Sequence, residues 1–170
     1  VEALVSKKIP FEIIPGVSSA VAVPAYAGIP ISDRRHASHV TFMTGHKSEY
    51  IEDENTDFNL DQLPLGGTLV VLMGVSRWSL IREKLLKKGW NPLTAVAAIE
   101  SGTTENQRVC LTNLRDSEFQ FERFQLVAPA VIVVGEVAKK NSLYEWVRKE
   151  KPLLGKKIVV TRSAEQNRRF

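Results

Sequence analysis

Short apolar runs, each closed by a glycine-marked or polar turn, set the pattern of this chain. Phe11 to Ile14 is apolar and β-prone and stops at Pro15-Gly16, which predicts a strand entering a turn. Val40 to Thr44 and Thr68 to Met73 predict buried strands, and Ala95 to Ile99, Arg108 to Thr112 and Ala130 to Val134 predict three more. A further apolar run, Lys157 to Thr161, predicts one last strand near the end of the chain.

Helices are expected at three places. Ser18 and Ser19 stand where an N-cap belongs, ahead of the small-residue run Ala20 to Ala27, with Gly28 and Pro30 as a stop and Pro24 expected to bend or shorten the helix. Ser76 opens an amphipathic pattern with Trp78, Ile81 and Leu85 on one face, basic residues in its last turn and Gly89 beyond. Ser142 and Glu145 have capping-box spacing for a final helix that takes in Trp146 and Val147 and stops before Pro152. Glu49 to Asp61, with six acids, is expected to be a solvated loop. Strands and helices that do not strictly alternate predict an α/β fold with a mixed, largely antiparallel sheet.

Composition excludes several classes without naming a function. The 170 residues are 44% hydrophobic and 25% charged, with 10 Gly and 8 Pro, which is ordinary for a globular domain and excludes collagen-like and low-complexity chains. The longest apolar runs fall far short of the roughly 20 residues that a helix needs to cross a bilayer, so no membrane partner is expected. The first residue is Val1 and no signal-like segment opens the chain, so a cytoplasmic protein with further sequence upstream is expected. A single Cys110 can form neither an internal disulfide nor a multi-cysteine zinc site.

Charge changes the picture by where it lies. Residues 139–170 carry ten Lys or Arg against three Glu, a net of +7, whereas residues 1–138 carry a net of −3. A nucleic-acid partner needs its basic residues on the contact face, so the mildly acidic main part argues against one. His36, His39 and His46 have no carboxylate or thiol at ligand spacing, and a metal site is not expected.

The informative segments are the turns after predicted strands: Pro15 to Ser19, Thr44 to His46, Met73 to Val75 and Glu100 to Thr104. Singly, each reads as turn chemistry. Together they predict a small-molecule cleft, because turns after strands line the crevice of an open α/β sheet.

The ordered set Ile14-Pro15-Gly16-Val17-Ser18-Ser19-Ala20, Pro24 to Pro30, Val40 to His46, Thr68 to Gly74, Gly102-Thr103-Thr104 with Gln107-Arg108, and Gly135-Glu136-Val137 closely resembles the uroporphyrinogen-III C-methyltransferases of the tetrapyrrole methylase family. The resemblance covers about the first 147 residues and the later half of the family's catalytic domain. It implies a three-layer α/β lobe with a five-stranded sheet, the C-terminal lobe of that fold, over residues 1–150. It also implies S-adenosyl-L-methionine as cofactor, uroporphyrinogen III as substrate, precorrin-2 as product on the siroheme and cobalamin routes, and a homodimer. The matching cofactor positions are Ser18, Ser19, Met73 and Gly102, and the matching substrate positions are Arg34 and His46. Asp33, Arg35 and His36 depart from the family's usual residues, although an added arginine suits a substrate with eight carboxylates.

The family's first glycine-rich cofactor loop and its acid and base candidates lie upstream, so these 170 residues alone are expected to show little methyl transfer. A later cobalamin-pathway methyltransferase, or a non-catalytic binding or dimerisation module, is the alternative. Leu154 to Arg162 resembles the opening strand of uroporphyrinogen-III synthase, which implies a linker and the start of a fused second enzyme over residues 151–170.

Overall fold

The structure, a computed structural model, describes residues 1–45 and 63–144, and beyond these residues 146, 151, 153 and 156. In chain order the elements are α1 (Glu2–Ser6), α2 (Ser19–Tyr26), β1 (Val40–Thr44), β2 (Thr68–Leu72), a 3-10 turn (Val75–Arg77) running into α3 (Trp78–Lys88), β3 (Ala95–Glu100), β4 (Arg108–Asn113), α4 (Ser117–Phe124), β5 (Ala130–Val134), a 3-10 helix (Glu136–Lys140) and α5 (Asn141–Tyr144). The five strands among the described residues form one sheet in the order β1-β2-β5-β3-β4. β1 pairs with β2 in parallel, and the other three pairings are antiparallel, as the sequence pattern predicted.

Both faces of the sheet are covered, because alternate residues of the central strands are apolar in both directions. Leu69, Val71, Val96, Ala98, Ile132 and Val134 face α3 and α4, where Trp78, Ile81, Leu85 and Phe121 complete one core. Val70, Ala97, Ile99, Val131 and Val133 face α2 and the second 3-10 helix, which add Ala20, Val23, Ala27, Val137 and Ala138. The result is a three-layer α/β unit. No helix among the described residues is long and apolar enough to cross a membrane.

Helix ends follow the signals in the sequence. The N–H groups of Gly28 and Ile29 bond to the carbonyls of Ala25 and Pro24, a Schellman closure that needs the left-handed φ of +70° at Gly28. Gly89, at φ +101°, ends α3 in the same way through Leu86 and Leu85. Pro24 lies inside α2 without ending it, and α2 stops at eight residues.

Five local expectations need correction or fall elsewhere. Val40 to Thr44 is a strand but not a buried one: β1 lies at the edge of the sheet, paired among the described residues only with β2, and its Phe42 is half exposed. Phe11 to Ile14 is not a strand: residues 9–18 have no regular structure and Ile13 and Ile14 are exposed. β-propensity makes a strand only where a ladder partner exists, and this segment pairs with no strand among the described residues. The last helix starts at Asn141, directly after the 3-10 helix, so Ser142 is inside it and cannot cap it; it ends at Tyr144, before Trp146. α4 was not foreseen. The residue that follows it, Gln125, takes the left-handed conformation, φ +55°, that glycine fills after α2 and α3, and Asp116 before it makes no side-chain cap bond. The acidic stretch Glu49 to Asp61 and the strand expected at Lys157 to Thr161 lie outside the described residues.

Candidate functional site

Strand directions bring three of the four singled-out turns to one end of the sheet. β1 and β2 are parallel, and β2 and β3 are both antiparallel to β5, so Thr44, Leu72 and Glu100 end at the same edge. Leu72 and Ile99 are both register partners of Val131. Met73 and Glu100 therefore sit about 10 Å apart, two strand spacings across β5. The turns after β1 and β2 are in direct contact: the Gly45 N–H donates to the Leu72 carbonyl at 2.6 Å. A Cβ on Gly45 would lie 2.8 Å from the Met73 carbonyl oxygen and 2.9 Å from the Gly74 nitrogen, so only glycine fits there.

The fourth turn arrives through α2. Val23 packs against Gly102 just beyond β3, while at the other end of α2 the Ala27 carbonyl accepts a bond from Asn141, which follows the opposite edge of the sheet. The amino end of α2, with Ser18 and Ser19, thus points to the same edge as Met73 and Gly102. Ser18 caps the helix: its Oγ accepts from the Ala20 N–H at 3.2 Å, and its hydroxyl proton is left to donate outward. Ser19 supplies one of the N–H groups that a helix start leaves without an intrahelical partner. Both serines are exposed.

Among the described residues, three at this edge have left-handed backbone without being glycine: Met73 (φ +52°), Ser101 (φ +47°) and Thr103 (φ +69°). Each such residue costs roughly 1–2 kcal/mol, and strain of this kind gathers at functional sites. The turn at Met73 holds its side chain 60% exposed although it follows a strand whose first four residues are buried. At Gly102 a Cβ would lie 2.6 Å from Val23 Cγ2 and 2.9 Å from Val23 Cβ. What reads in the sequence as room for a ligand is, on that side, room for α2.

The loop between β3 and β4 is tied internally and at its base. Thr103 N–H donates to Gln107 Oε1 at 2.8 Å, Thr104 Oγ1 to the Ser101 carbonyl at 2.7 Å, and Ser101 N–H to the Pro129 carbonyl at 2.9 Å. Beneath it the buried Glu100 carboxylate accepts from Arg108 Nε at 3.0 Å and from Nη2 at 2.8 Å, and from the Val127 N–H at 3.0 Å. In the sequence Glu100 belongs to a singled-out turn and Arg108 to a motif, but the two were not singled out as a pair. The signal was the opposite charges eight residues apart on facing strands, visible only once the register Glu100↔Arg108 is known.

Arg34 is exposed in the turn Asp33 to Ala37, which connects α2 to the amino end of β1; the structure does not gather it with Ser18, Met73 and Gly102. The neighbouring Arg35 is taken up by Asp33, with Nε–Oδ1 at 3.2 Å and Nη2–Oδ2 at 3.1 Å. Hydrogen bonds from the Arg35 side chain and backbone, with its charge, hold the Asp33 carboxyl down at about 2. His46 lies outside the described residues. His39 Nε2 stands 3.1 Å from the Gly66 carbonyl, and the described residues contain no cluster of three or more His, Cys, Asp or Glu able to hold a metal.

Comparison with known proteins identifies the family. The family of tetrapyrrole (corrin/porphyrin) methylases matches residues 1–118. An S-adenosyl-L-methionine-dependent uroporphyrinogen III methyltransferase from Methanosarcina barkeri is 45% identical over 142 residues, 84% of this chain and 55% of its own length. A porphyrin biosynthesis protein HemD from Ruminiclostridium josui is 37% identical over 166 residues, 98% of this chain and 32% of its own. Among solved structures, uroporphyrin-III C-methyltransferase from Thermus thermophilus complexed with S-adenosyl homocysteine superposes with a TM-score of 0.66 at 29% identity, covering 80% of this chain and 55% of that one. The chain thus spans about half the length of the methyltransferases it matches. The family match over most of the chain, the sequence identity and the superposition agree: the chain belongs to the tetrapyrrole methylases.

Proposed function

We propose that the protein carrying this chain is an S-adenosyl-L-methionine-dependent uroporphyrinogen-III C-methyltransferase, and that the carboxyl ends of β1, β2 and β3 with the start of α2 form one wall of its cofactor site. The observation that carries this reading is the convergence of Ser18, Ser19, Met73 and Gly102 on one edge of the sheet, in a chain whose relatives are described as methyltransferases using that cofactor.

The residues present fit such a ligand. Ser18 offers a hydroxyl and Ser19 a backbone N–H to its polar groups. The exposed Met73 offers a polarizable thioether to a flat base or a sulfonium. When bound, the cofactor supplies an electrophilic methyl group, so the protein's own work is to position both reactants and keep water out. Arg34 and His46 are assigned to the substrate and its carboxylates from the motif match alone. Arg35 is engaged by Asp33 and is not assigned there.

A homodimer acting in the cytoplasm belongs to the same reading, as does the division into a methylase part, 1–150, and the beginning of a fused uroporphyrinogen-III synthase, 151–170. In support of that division, the match to the Ruminiclostridium josui protein extends over 98% of the chain, whereas that to the Methanosarcina barkeri enzyme covers 84%.

The test is turnover: full-length protein incubated with methyl-labelled S-adenosylmethionine and uroporphyrinogen III should transfer label to the tetrapyrrole. Label transfer to no tetrapyrrole, with the cofactor bound, would refute the substrate; absence of cofactor binding would refute the reading as a whole.

A further inference from the structure

The loop from Ser101 to Gln107 holds two left-handed non-glycine residues, a conformation it would not keep by itself. Its two ends are the last residue of β3, Glu100, and the first of β4, Arg108, and their side chains close the loop at its base with three charge-assisted bonds of 2.8–3.0 Å. The same pair reaches a second segment. Glu100 accepts the Val127 N–H, and Arg108 stacks 4.4 Å over the Phe124 ring with its Nη atoms 3.4 Å from the Phe124 and Gln125 carbonyls. That segment leads to Pro129, whose carbonyl takes the Ser101 N–H. Two charges spent on a part-buried pair are a weak source of stability. Here they join three segments around one loop.

We infer that Glu100 and Arg108 are positioning residues: they fix the backbone of Ser101 to Thr104 in the geometry that receives the ligand, without touching it. This rests on the cofactor reading above. A planar, forked guanidinium is required, since a lysine at 108 could serve only one of the directions in which Arg108 now bonds.

The test uses full-length protein with R108K, R108M and E100Q. Hydrogen exchange without ligand reads the loop, and calorimetric titration with S-adenosylhomocysteine reads the site. Exchange of the 101–107 amides should quicken at least tenfold in R108M and E100Q while the β2 and β5 amides stay protected, and R108K should restore little. S-adenosylhomocysteine affinity should fall at least tenfold, with turnover at saturating cofactor within about threefold of wild type. Unchanged loop exchange, unchanged affinity, or a fall in turnover with affinity intact would each overturn the inference. If wild type itself does not bind S-adenosylhomocysteine, the cofactor reading fails, and the exchange result alone then decides whether the pair holds the loop.

Discussion

Replacing Gly102 by Ala tests how α2 is seated on the sheet. The φ of Gly102 lies outside the left-handed region, so alanine carries no backbone penalty and the effect comes from contact alone. The new methyl carbon would sit 2.6 Å from Val23 Cγ2 and 2.9 Å from Val23 Cβ, against about 3.5–4.0 Å for an unstrained carbon pair. Val23 would have to retreat by about 1 Å, carrying with it a helix whose Ala20, Val23 and Ala27 are all buried. Overpacking of that kind costs about 1–3 kcal/mol. V23A alone removes two buried methyl groups and should cost a similar amount, about 1–3 kcal/mol. In the double variant each change cures the defect of the other, so the pair should be less damaging than the sum of the singles by at least about 1 kcal/mol. Urea unfolding of the four proteins in the cycle measures this directly. Additive losses, within about 0.5 kcal/mol, would show that Val23 does not fill the space beside Gly102 and would refute this seating of α2.

Three other outcomes follow from the same structure. M73G should relieve left-handed strain and raise stability by up to about 1 kcal/mol in a melting experiment while weakening S-adenosylhomocysteine binding, since the exposed side chain contributes to the site and not to the core. S117A should cost about 1–3 kcal/mol in the same assay, because it strands the buried Trp78 Nε1–H that donates to Ser117 Oγ at 3.0 Å. Asp33, depressed from 3.8 to about 2, adds its stabilisation above about pH 4 and loses it as pH falls through about 2; carboxyl NMR titration should show the low midpoint, and R35M should move it back toward 3.8.

How far the sequence could be read followed physical lines. Val40 to Thr44 and Ala130 to Val134 were legible to the residue because each is a short β-prone run bounded by polar turns, although only the second is buried and the first is a half-exposed edge strand. α2 and α3 were legible because Gly28 and Gly89 mark their ends, whereas α4 closes on Gln125 and left no such mark. Phe11 to Ile14 has the composition of a strand without a ladder to join, and composition cannot report a partner. The site was legible as turns but not as geometry. That Met73, Ser101 and Thr103 share a strained conformation at one edge, and that Glu100 faces Arg108, depends on strand direction and register, which no local pattern encodes.

If the carboxyl ends of β1, β2 and β3 and the start of α2 receive the cofactor, its binding must slow amide exchange there. Hydrogen-exchange mapping of full-length protein with and without S-adenosylhomocysteine tests it most directly. Protection should concentrate at Ser18 to Ala22, at Gly45 with Met73 to Val75, and at Ser101 to Thr104. Protection confined to α3, α4 or β4, or none at saturating ligand, would contradict it.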